Sequence, residues 1–161
     1  MVRVLIKKLD PAVELPAYKT LGASGMDLIA FIKDPINIKP KTSYLVPTGL
    51  SVAFSEEYEI QIRPRSGLAA KKNISVLNTP GTIDSDYRGE IKVILFNHSN
   101  ENFIINNGDR IAQMVLIPIL KMELEETNDL PDTIRGEGGF GSTGKWKSIW
   151  TNHKSKDFQD N

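Results

Sequence analysis

The chain of 161 residues contains no cysteine and only two histidines, and its 20 basic residues balance its 20 acidic ones. The absence of cysteine excludes a disulfide framework and a thiolate metal site or nucleophile. Two histidines, His98 and His153, are too few for a multi-histidine centre, so any metal should be a hard cation bound through oxygen. Zero net charge gives no global field toward nucleic acid or an anionic membrane, and we expect neither as a partner.

Long hydrophobic runs are also missing. No run is long enough to span a bilayer, and residues 1–8 alternate like a strand without the apolar stretch of a secretory signal. We therefore expect a cytoplasmic protein, and a nuclear or organellar location is not excluded by this pattern. The length is suited to one sizeable core and too short for two ordinary domains.

Short alternating segments separated by glycine or proline dominate the chain, which indicates an all-β sandwich or barrel and not a βαβ fold. Ser66–Lys72 is the one convincing helix, and Ser66 is its expected N-cap. The expected strands outside the central stretch are 2–9, 26–32, 43–47, 50–54, 58–63, 103–105 and 111–118.

The segment Ile111–Ile117 is apolar on both faces of an expected strand, apart from Gln113. A strand of this kind is covered on both sides, and in a chain this small a second subunit could be the cover. A buried Gln113 needs a polar partner because an unsatisfied amide costs about 1–3 kcal/mol. A ligand or an ordered water would serve, and a neighbouring loop would serve equally well.

Residues 77–90 contain turn formers, two aspartates and one tyrosine between two apolar runs, a pattern typical of a β-hairpin with a functional tip. Pro80-Gly81 is expected to reverse the chain, and Asp84 to lie where the return strand begins. A carboxylate held there beside Tyr87 is suited to activating water next to a flat substrate. The alternative is a surface turn whose aspartates only accept backbone amides.

Two further clusters favour an anionic ligand. Arg63 and Arg65 precede the expected helix start, where backbone amides, arginine and Ser66 bind phosphate, although a capped helix with a solvated arginine is the commoner case. Residues 135–144 hold five of the twelve glycines, and their free amides could cradle an anion or belong to a disordered arm. The dinucleotide fingerprint and the P-loop are both rejected there, since the flanking elements and the magnesium-binding hydroxyl are missing.

Asp27 lies among apolar residues and could hold a metal-bound water or accept backbone amides. Together with the clusters above it completes a resemblance: residues 23–30, 64–71, 77–97, 108–118 and 135–144 resemble, in order and spacing, the five motifs of the homotrimeric dUTP pyrophosphatases, or dUTPases. Met26 stands where the first motif often has an aromatic residue. Residues 145–161 extend past the point where many family members end.

The resemblance implies a distorted jelly roll of the β-clip type with one short helix, assembled as a homotrimer with shared active sites. It also implies hydrolysis of dUTP to dUMP and pyrophosphate, with Asp84 deprotonating the attacking water and Mg²⁺ bridging the phosphates. Asp27 would contact this metal through water. Residues 1–134 would form the domain, 135–144 an arm that closes the active site, and 145–161 a flexible tail.

The remaining residues implied by the resemblance bind substrate. Asn78 and the main chain of Gly81, Thr82 and Ile83 would recognise uracil, and Tyr87 would lie against deoxyribose and occupy the space of a 2′-hydroxyl. The phosphates would be held by Arg65, Ser66, Gly67 and Gln113, and covered by Arg135, Phe140, Gly141, Ser142 and Thr143, with Phe140 stacked on uracil.

Two other functions fit the same fold. A dCTP deaminase would attack the base at C4 and use a glutamate as proton carrier, which the Asp-Ser-Asp-Tyr-Arg-Gly hairpin argues against. A non-catalytic, dUTPase-like trimer that binds nucleotide or a protein partner is the second, and the intact candidate residues argue against it. Pyrophosphate release from dUTP or ammonia release from dCTP would distinguish the enzymes.

Overall fold

The computed structural model describes residues 1–139, which divide into two units, Met1–Lys121 and residues 122–139. All regular elements of the described residues lie in the first unit. In chain order they are β1 Leu5–Lys8, β2 Met26–Ile29, β3 Ile36–Ile38, β4 Ser43–Pro47, β5 Leu50–Ala53, β6 Tyr58–Arg63, α1 Ser66–Lys72, β7 Ile74–Val76, β8 Gly81–Ile83, β9 Lys92–Asn97, β10 Phe103–Ile105 and β11 Arg110–Pro118.

A four-stranded antiparallel sheet in the order β2-β11-β6-β8 is central to the candidate site. The strand β6 alternates as predicted, with Ile60 and Ile62 buried and Arg63 exposed. Its neighbour β11 contacts both β2 and β6 and therefore lies inside the sheet. The predicted all-β class is confirmed, because short strands with one helix make up the regular structure of residues 1–139.

A three-stranded antiparallel sheet, β4-β9-β7, and two strand pairs, β1-β5 and β10-β3, complete the first unit. The side chains of the core come from both larger sheets and from the pairs. Its largest fully buried aliphatic members are Leu28, Ile38, Val46, Ile74, Val76, Ile91, Val93, Leu95, Ile105 and Ile111. The core thereby joins strands that are far apart in sequence.

The central stretch differs from the predicted simple hairpin. The two apolar runs pair as expected, since β7 is antiparallel to β9. Between them, however, Gly81–Ile83 forms β8 and joins β6 of the other sheet. Asp84 therefore follows the end of β8, and the prediction that it begins the return strand at β9 is wrong. The reason is a long-range strand pairing that turn chemistry does not encode.

The prediction that Ser66 caps the helix is also wrong. Arg65 is the extended N-cap residue, and its carbonyl accepts the amides of Leu68 and Ala69. No side chain caps this helix end, and Ser66 is its first helical residue. The strand β3, Ile36–Ile38, is not among the strands expected from the sequence. Within residues 1–139, no helix has the length and apolar character needed to cross a membrane.

Candidate active site

An open pocket of about 410 Å³ contains the exposed carboxylate of Asp84. Polar and aromatic groups of the turn regions form one part of its wall, and aliphatic side chains of β4 and β9 form another. The lining residues are Leu45, Asn78, Thr82, Ile83, Asp84, Tyr87, Glu90, Lys92 and Ile94. The pocket thus brings together the Asp84 carboxylate, which can accept a proton, the Asn78 amide and the aromatic ring of Tyr87.

Gly81 allows the close packing at the floor of this region. A Cβ atom at this buried position would lie 3.2 Å from Nδ2 of Asn78 and 3.4 Å from Cβ of Ile62. The Asn78 amide therefore lies directly against the main chain of β8, because glycine has no side chain to separate them. Two of the residues predicted to recognise a base edge are in contact.

Asp84 and Asp86 differ in their relation to the pocket, although both carboxylates are exposed. Asp84 is among the lining residues and Asp86 is not. The turn after β8 is closed by the Tyr87 amide, which donates to the Asp84 carbonyl at 3.1 Å. This turn places Tyr87 and Asp84 on the same pocket wall.

A second cluster of charges surrounds Asp27 on β2. Its side chain is only 8% exposed, and each carboxylate oxygen faces an arginine: Arg65 Nε lies 3.0 Å from Oδ1 and Arg110 Nη1 lies 3.2 Å from Oδ2. Arg65 also donates to the Arg110 carbonyl at 3.1 Å. Charge-assisted hydrogen bonds of this kind are stronger than neutral ones. Arg65 is therefore held in a defined orientation beside the start of α1.

Gln113 belongs to the same region. In the sheet it is directly opposite Asp27 on one side and Arg63 on the other, so the three side chains share one face. Gln113 is half-buried and not fully enclosed. Ser66 and Gly67 follow Arg65 as the first helical residues, where backbone N–H groups have no partner within the helix. Several donors are thus grouped around one carboxylate.

These residues fit a magnesium ion only if a ligand supplies most of the oxygens. Among residues 1–139 no group of three or more histidine, aspartate or glutamate side chains is arranged as a metal cage. Mg²⁺ is commonly held by substrate phosphates, waters and one or two carboxylates. Asp27 meets that requirement, because its oxygens accept one arginine each and a carboxylate has about four acceptor positions.

The carboxylates of the two clusters, Asp84 and Asp27, belong to opposite edges of the four-stranded sheet. Asp84 directly follows the edge strand β8, and the β8–β6 register places it opposite Glu59 of β6. Asp27 lies on the other edge strand, β2, and is level with Arg63 of β6 because both are paired with Gln113. The main-chain positions of Asp84 and Asp27 are therefore three strand spacings apart across the sheet and four residues apart along it, which corresponds to roughly 19 Å. The two P–O–P linkages of a triphosphate do not span this distance. One chain therefore presents two separate clusters of candidate site residues.

The outer face of the three-stranded sheet exposes a row of aliphatic side chains next to the Asp84 pocket. Leu45 is opposite Ile94, and the Leu77 amide donates to the Ile94 carbonyl at 2.8 Å, so the three residues form one row. Leu45 is 50% and Leu77 is 52% exposed. A contiguous apolar row beside a polar pocket is characteristic of a surface that another molecule covers.

Part of the predicted site lies in the second unit or beyond the described residues. In the second unit, Arg135 Nε donates to the Gly138 carbonyl at 2.7 Å. Phe140, Gly141, Ser142 and Thr143 lie outside residues 1–139. Sequence reasoning missed Arg110, which the Asp27 contact reveals, although it stands within the fourth motif, residues 108–118. It also missed the aliphatic wall from Leu45 and Ile94, for which no local signal exists.

Comparison with known proteins identifies the family. The dUTPase family model matches residues 12–144. Deoxyuridine 5'-triphosphate nucleotidohydrolase of Hydrogenobaculum sp. is 55% identical over 143 residues, covering 89% of this chain and 99% of the relative. The protein of the same name from Nautilia profundicola is 57% identical over 144 residues, covering 89% of this chain and all of the relative.

Solved structures share the fold at lower identity. A mutant dUTPase of Staphylococcus bacteriophage 80alpha with dUpNHpp superposes with a TM-score of 0.76 at 22% identity, covering 89% of this chain and 99% of that one. A mutant dUTPase of phage phi11, described with a structural Mg(II) ion, has a TM-score of 0.73 at 19% identity, covering 81% and 99%. The fold is the distorted jelly roll predicted from sequence. Because the family model matches residues 12–144, which are most of the sequence, the chain belongs to the dUTPase family.

Proposed function

We propose that this protein, a dUTP diphosphatase by family, hydrolyses dUTP with Asp84 as the general base. Water bound to Asp84 attacks the α-phosphorus, its proton passes to the carboxylate, and the bond to the bridging oxygen breaks to release dUMP and pyrophosphate. The observation that carries the proposal is the Asp84 carboxylate in the pocket that Asn78 and Tyr87 also line. A carboxylate can both orient a nucleophilic water and accept its proton.

Base selection is assigned to Asn78 and the main chain of Gly81, Thr82 and Ile83. The amide of Asn78 lies against Gly81, which supports a compact recognition surface of side-chain and main-chain groups. Such a surface distinguishes the carbonyl of uracil from the amino group of cytosine by hydrogen-bond direction. Exclusion of thymine through its methyl group is assigned to the same main-chain segment. Tyr87 covers the deoxyribose.

Phosphate binding is assigned to the second cluster. Arg65, oriented by Asp27, and Gln113 on the same sheet face supply side-chain donors, while Ser66 and Gly67 supply donors at the helix start. Guanidinium groups match phosphate geometry and remain charged at every working pH. Arg135, Phe140, Gly141, Ser142 and Thr143 close over the bound nucleotide, with Phe140 stacked on uracil.

Magnesium is the implied cofactor. A bound Mg²⁺ would supply charge compensation to the phosphates. Asp27 is the residue assigned to contact it through water, since its carboxylate retains acceptor positions beside the two arginines.

The separation of the two clusters supports a site shared between copies. Asp84 of one copy and Arg65 of another would meet at one triphosphate, because a single chain keeps Asp84 roughly 19 Å from Asp27, the carboxylate that binds Arg65. The exposed aliphatic row of Leu45, Ile94 and Leu77 borders the Asp84 pocket and would be covered by the neighbouring copy. We assign a homotrimer, in which a closed ring completes every site.

In the cell, this activity keeps uracil out of DNA and supplies dUMP for dTMP synthesis. We assign it to the cytoplasm, and no partner of nucleic acid or membrane is needed for it.

The proposal is tested by incubating the full chain with dUTP or dCTP in the presence of Mg²⁺ and measuring pyrophosphate and ammonia. Pyrophosphate from dUTP, with neither product from dCTP, is the expected result. Ammonia from dCTP would identify a deaminase. Tight binding of dUTP without any product would identify a non-catalytic nucleotide-binding protein.

A further inference from the structure

The ring of Tyr87 lies directly over Gly89. A Cβ atom built at Gly89 would lie 2.3 Å from the Tyr87 hydroxyl oxygen, 2.4 Å from Cζ and 2.9 Å from Cε2. All three distances are far inside van der Waals contact. The ring can therefore occupy this position only because residue 89 has no side chain.

The far end of the ring is also anchored. The Tyr87 hydroxyl donates to the Glu90 carbonyl at 3.0 Å. Glu90 is itself held in place, because its Oε1 accepts the Gly49 amide at 2.8 Å and the following residue, Ile91, donates its amide to the Leu50 carbonyl at 2.7 Å. The acceptor of the tyrosine hydroxyl thus belongs to a chain segment fixed on both sides.

We propose that Gly89 is a specificity-determining residue for the sugar, acting as a positioning residue through Tyr87. The inference rests on the proposed role of Tyr87 in covering deoxyribose, and goes beyond it by assigning the ring position to Gly89 and the Glu90 carbonyl. Because Gly89 has no side chain, the Tyr87 ring packs directly against the backbone of residue 89. In that position the edge of the ring fills the space of a 2′-hydroxyl. Any side chain at residue 89 lifts the ring and opens that space.

A substitution at Gly89 acts first on the Tyr87 ring. The backbone of Gly89 does not have the left-handed conformation found at Gly49, Gly108 and Gly136, so alanine fits its main chain without strain. The three atoms nearest the added methyl group all belong to Tyr87. The first expected effect of Gly89→Ala is therefore displacement of the Tyr87 ring.

The experiment measures kcat/KM for dUTP and for UTP in the full chain with Mg²⁺, for wild type, Gly89→Ala and Tyr87→Ala. Gly89→Ala is expected to lower the dUTP/UTP ratio at least tenfold, in the same direction as Tyr87→Ala. In the Tyr87→Ala background, Gly89→Ala should cause no further change in the ratio, because the residue on which it acts is absent. Gly22→Ala is the matched control, since its Cβ meets nothing within 4 Å, and it should keep the wild-type ratio.

A second variant keeps the test independent of how well Gly89→Ala folds. Tyr87→Phe adds no atom and removes only the hydrogen bond to the Glu90 carbonyl. It should lower the ratio partially, by releasing the end of the ring. The relative affinities for dUMP and UMP, measured by calorimetry, should shift in the same direction in both variants, independently of the chemical step.

Wild-type discrimination that persists in both folded Gly89→Ala and Tyr87→Phe would overturn the inference, as would a further loss of discrimination on adding Gly89→Ala to Tyr87→Ala. Failure of the proposed function would be recognised separately, since wild type would then release no pyrophosphate from dUTP. A wild type that hydrolyses dUTP and UTP equally would overturn the inference and leave the hydrolase activity standing.

Discussion

Asp27 and Arg65, 38 residues apart in the chain, form an ion pair with 3.0 Å between the carboxylate Oδ1 and the guanidinium Nε. Arg110 binds the other carboxylate oxygen, so one poorly exposed aspartate connects β2, the start of α1 and β11. This contact orients the arginine to which phosphate binding is assigned. Asp27 of the first motif, residues 23–30, thereby orients Arg65 of the second motif, residues 64–71.

Asp27→Asn should raise KM for dUTP about tenfold with a smaller change in kcat, because Arg65 loses its charged partner and one strong hydrogen bond, worth ~1.4 kcal/mol after allowance for solvent screening. Steady-state kinetics at saturating Mg²⁺ measure this. Asp34→Asn, at an exposed carboxylate outside both clusters, is the control. If Asp27→Asn raises only the Mg²⁺ concentration needed for half-maximal activity and leaves KM for dUTP unchanged, Asp27 affects catalysis through the metal and not through Arg65.

Asp84→Asn should lower kcat by ~10²–10⁴-fold, because an amide cannot accept the proton of the attacking water. Binding of a non-hydrolysable dUTP analogue, measured by calorimetry, should change little. Asp86→Asn is a matched control in the same turn, since Asp86 is exposed and does not line the pocket. Near-normal turnover in Asp84→Asn would remove the general-base assignment.

Light scattering should report a mass about three times 17.9 kDa at micromolar concentration, because the exposed aliphatic row and the two separate clusters of candidate site residues require neighbouring copies. A monomer with full dUTP hydrolysis would contradict both the trimer and the shared site.

Mixing inactive chains tests the shared site directly. Asp84→Asn and Arg65→Ala chains, each inactive alone, should regain activity when they are unfolded together and refolded as an equal mixture. Roughly a quarter of the sites in random trimers would combine a wild-type Asp84 with a wild-type Arg65 from a neighbour. A mixture of Asp84→Asn and Asp84→Ala chains should stay inactive. If the first mixture also stays inactive while its trimers form normally, both residues belong to one chain's site.

Truncation after Ile134 should lower kcat and weaken dUTP binding, together by about 10²-fold in kcat/KM, because residues 135–144 no longer align the triphosphate and exclude water. Truncation after Lys145 removes only the extension beyond the family match, which ends at residue 144, and should retain activity. Kinetics of the two truncated chains make the comparison. Equal activity in both would show that residues 135–144 have no part in catalysis.

The tail contains both tryptophans, Trp146 and Trp150, and lies outside the described residues. We expect a passive extension. A blue shift of tryptophan fluorescence during titration with a dUTP analogue would instead indicate that these side chains become buried when nucleotide binds.

Local pattern predicted the limits of three elements, with or without a buried face. β6 has the predicted limits, Tyr58–Arg63, because strict alternation matches the period of a strand. β4 and α1 also have their predicted limits. β1 is shorter than predicted, since only Leu5–Lys8 pairs with β5. The family resemblance rests on the same local information, namely motifs within short segments.

By itself, the sequence determined the all-β class, the family and the identity of Asp84, Tyr87 and Arg65 as candidate residues. Only the tertiary structure decided which of them meet. It placed Gly81–Ile83 beside β6, joined Asp27 to Arg65 and Arg110, and kept Asp27 at the opposite sheet edge from Asp84. The physical reason is the difference between local and long-range interactions. Side-chain periodicity is local and specifies which face of each strand is buried. Strand order depends on burial and pairing between segments that are far apart in the chain.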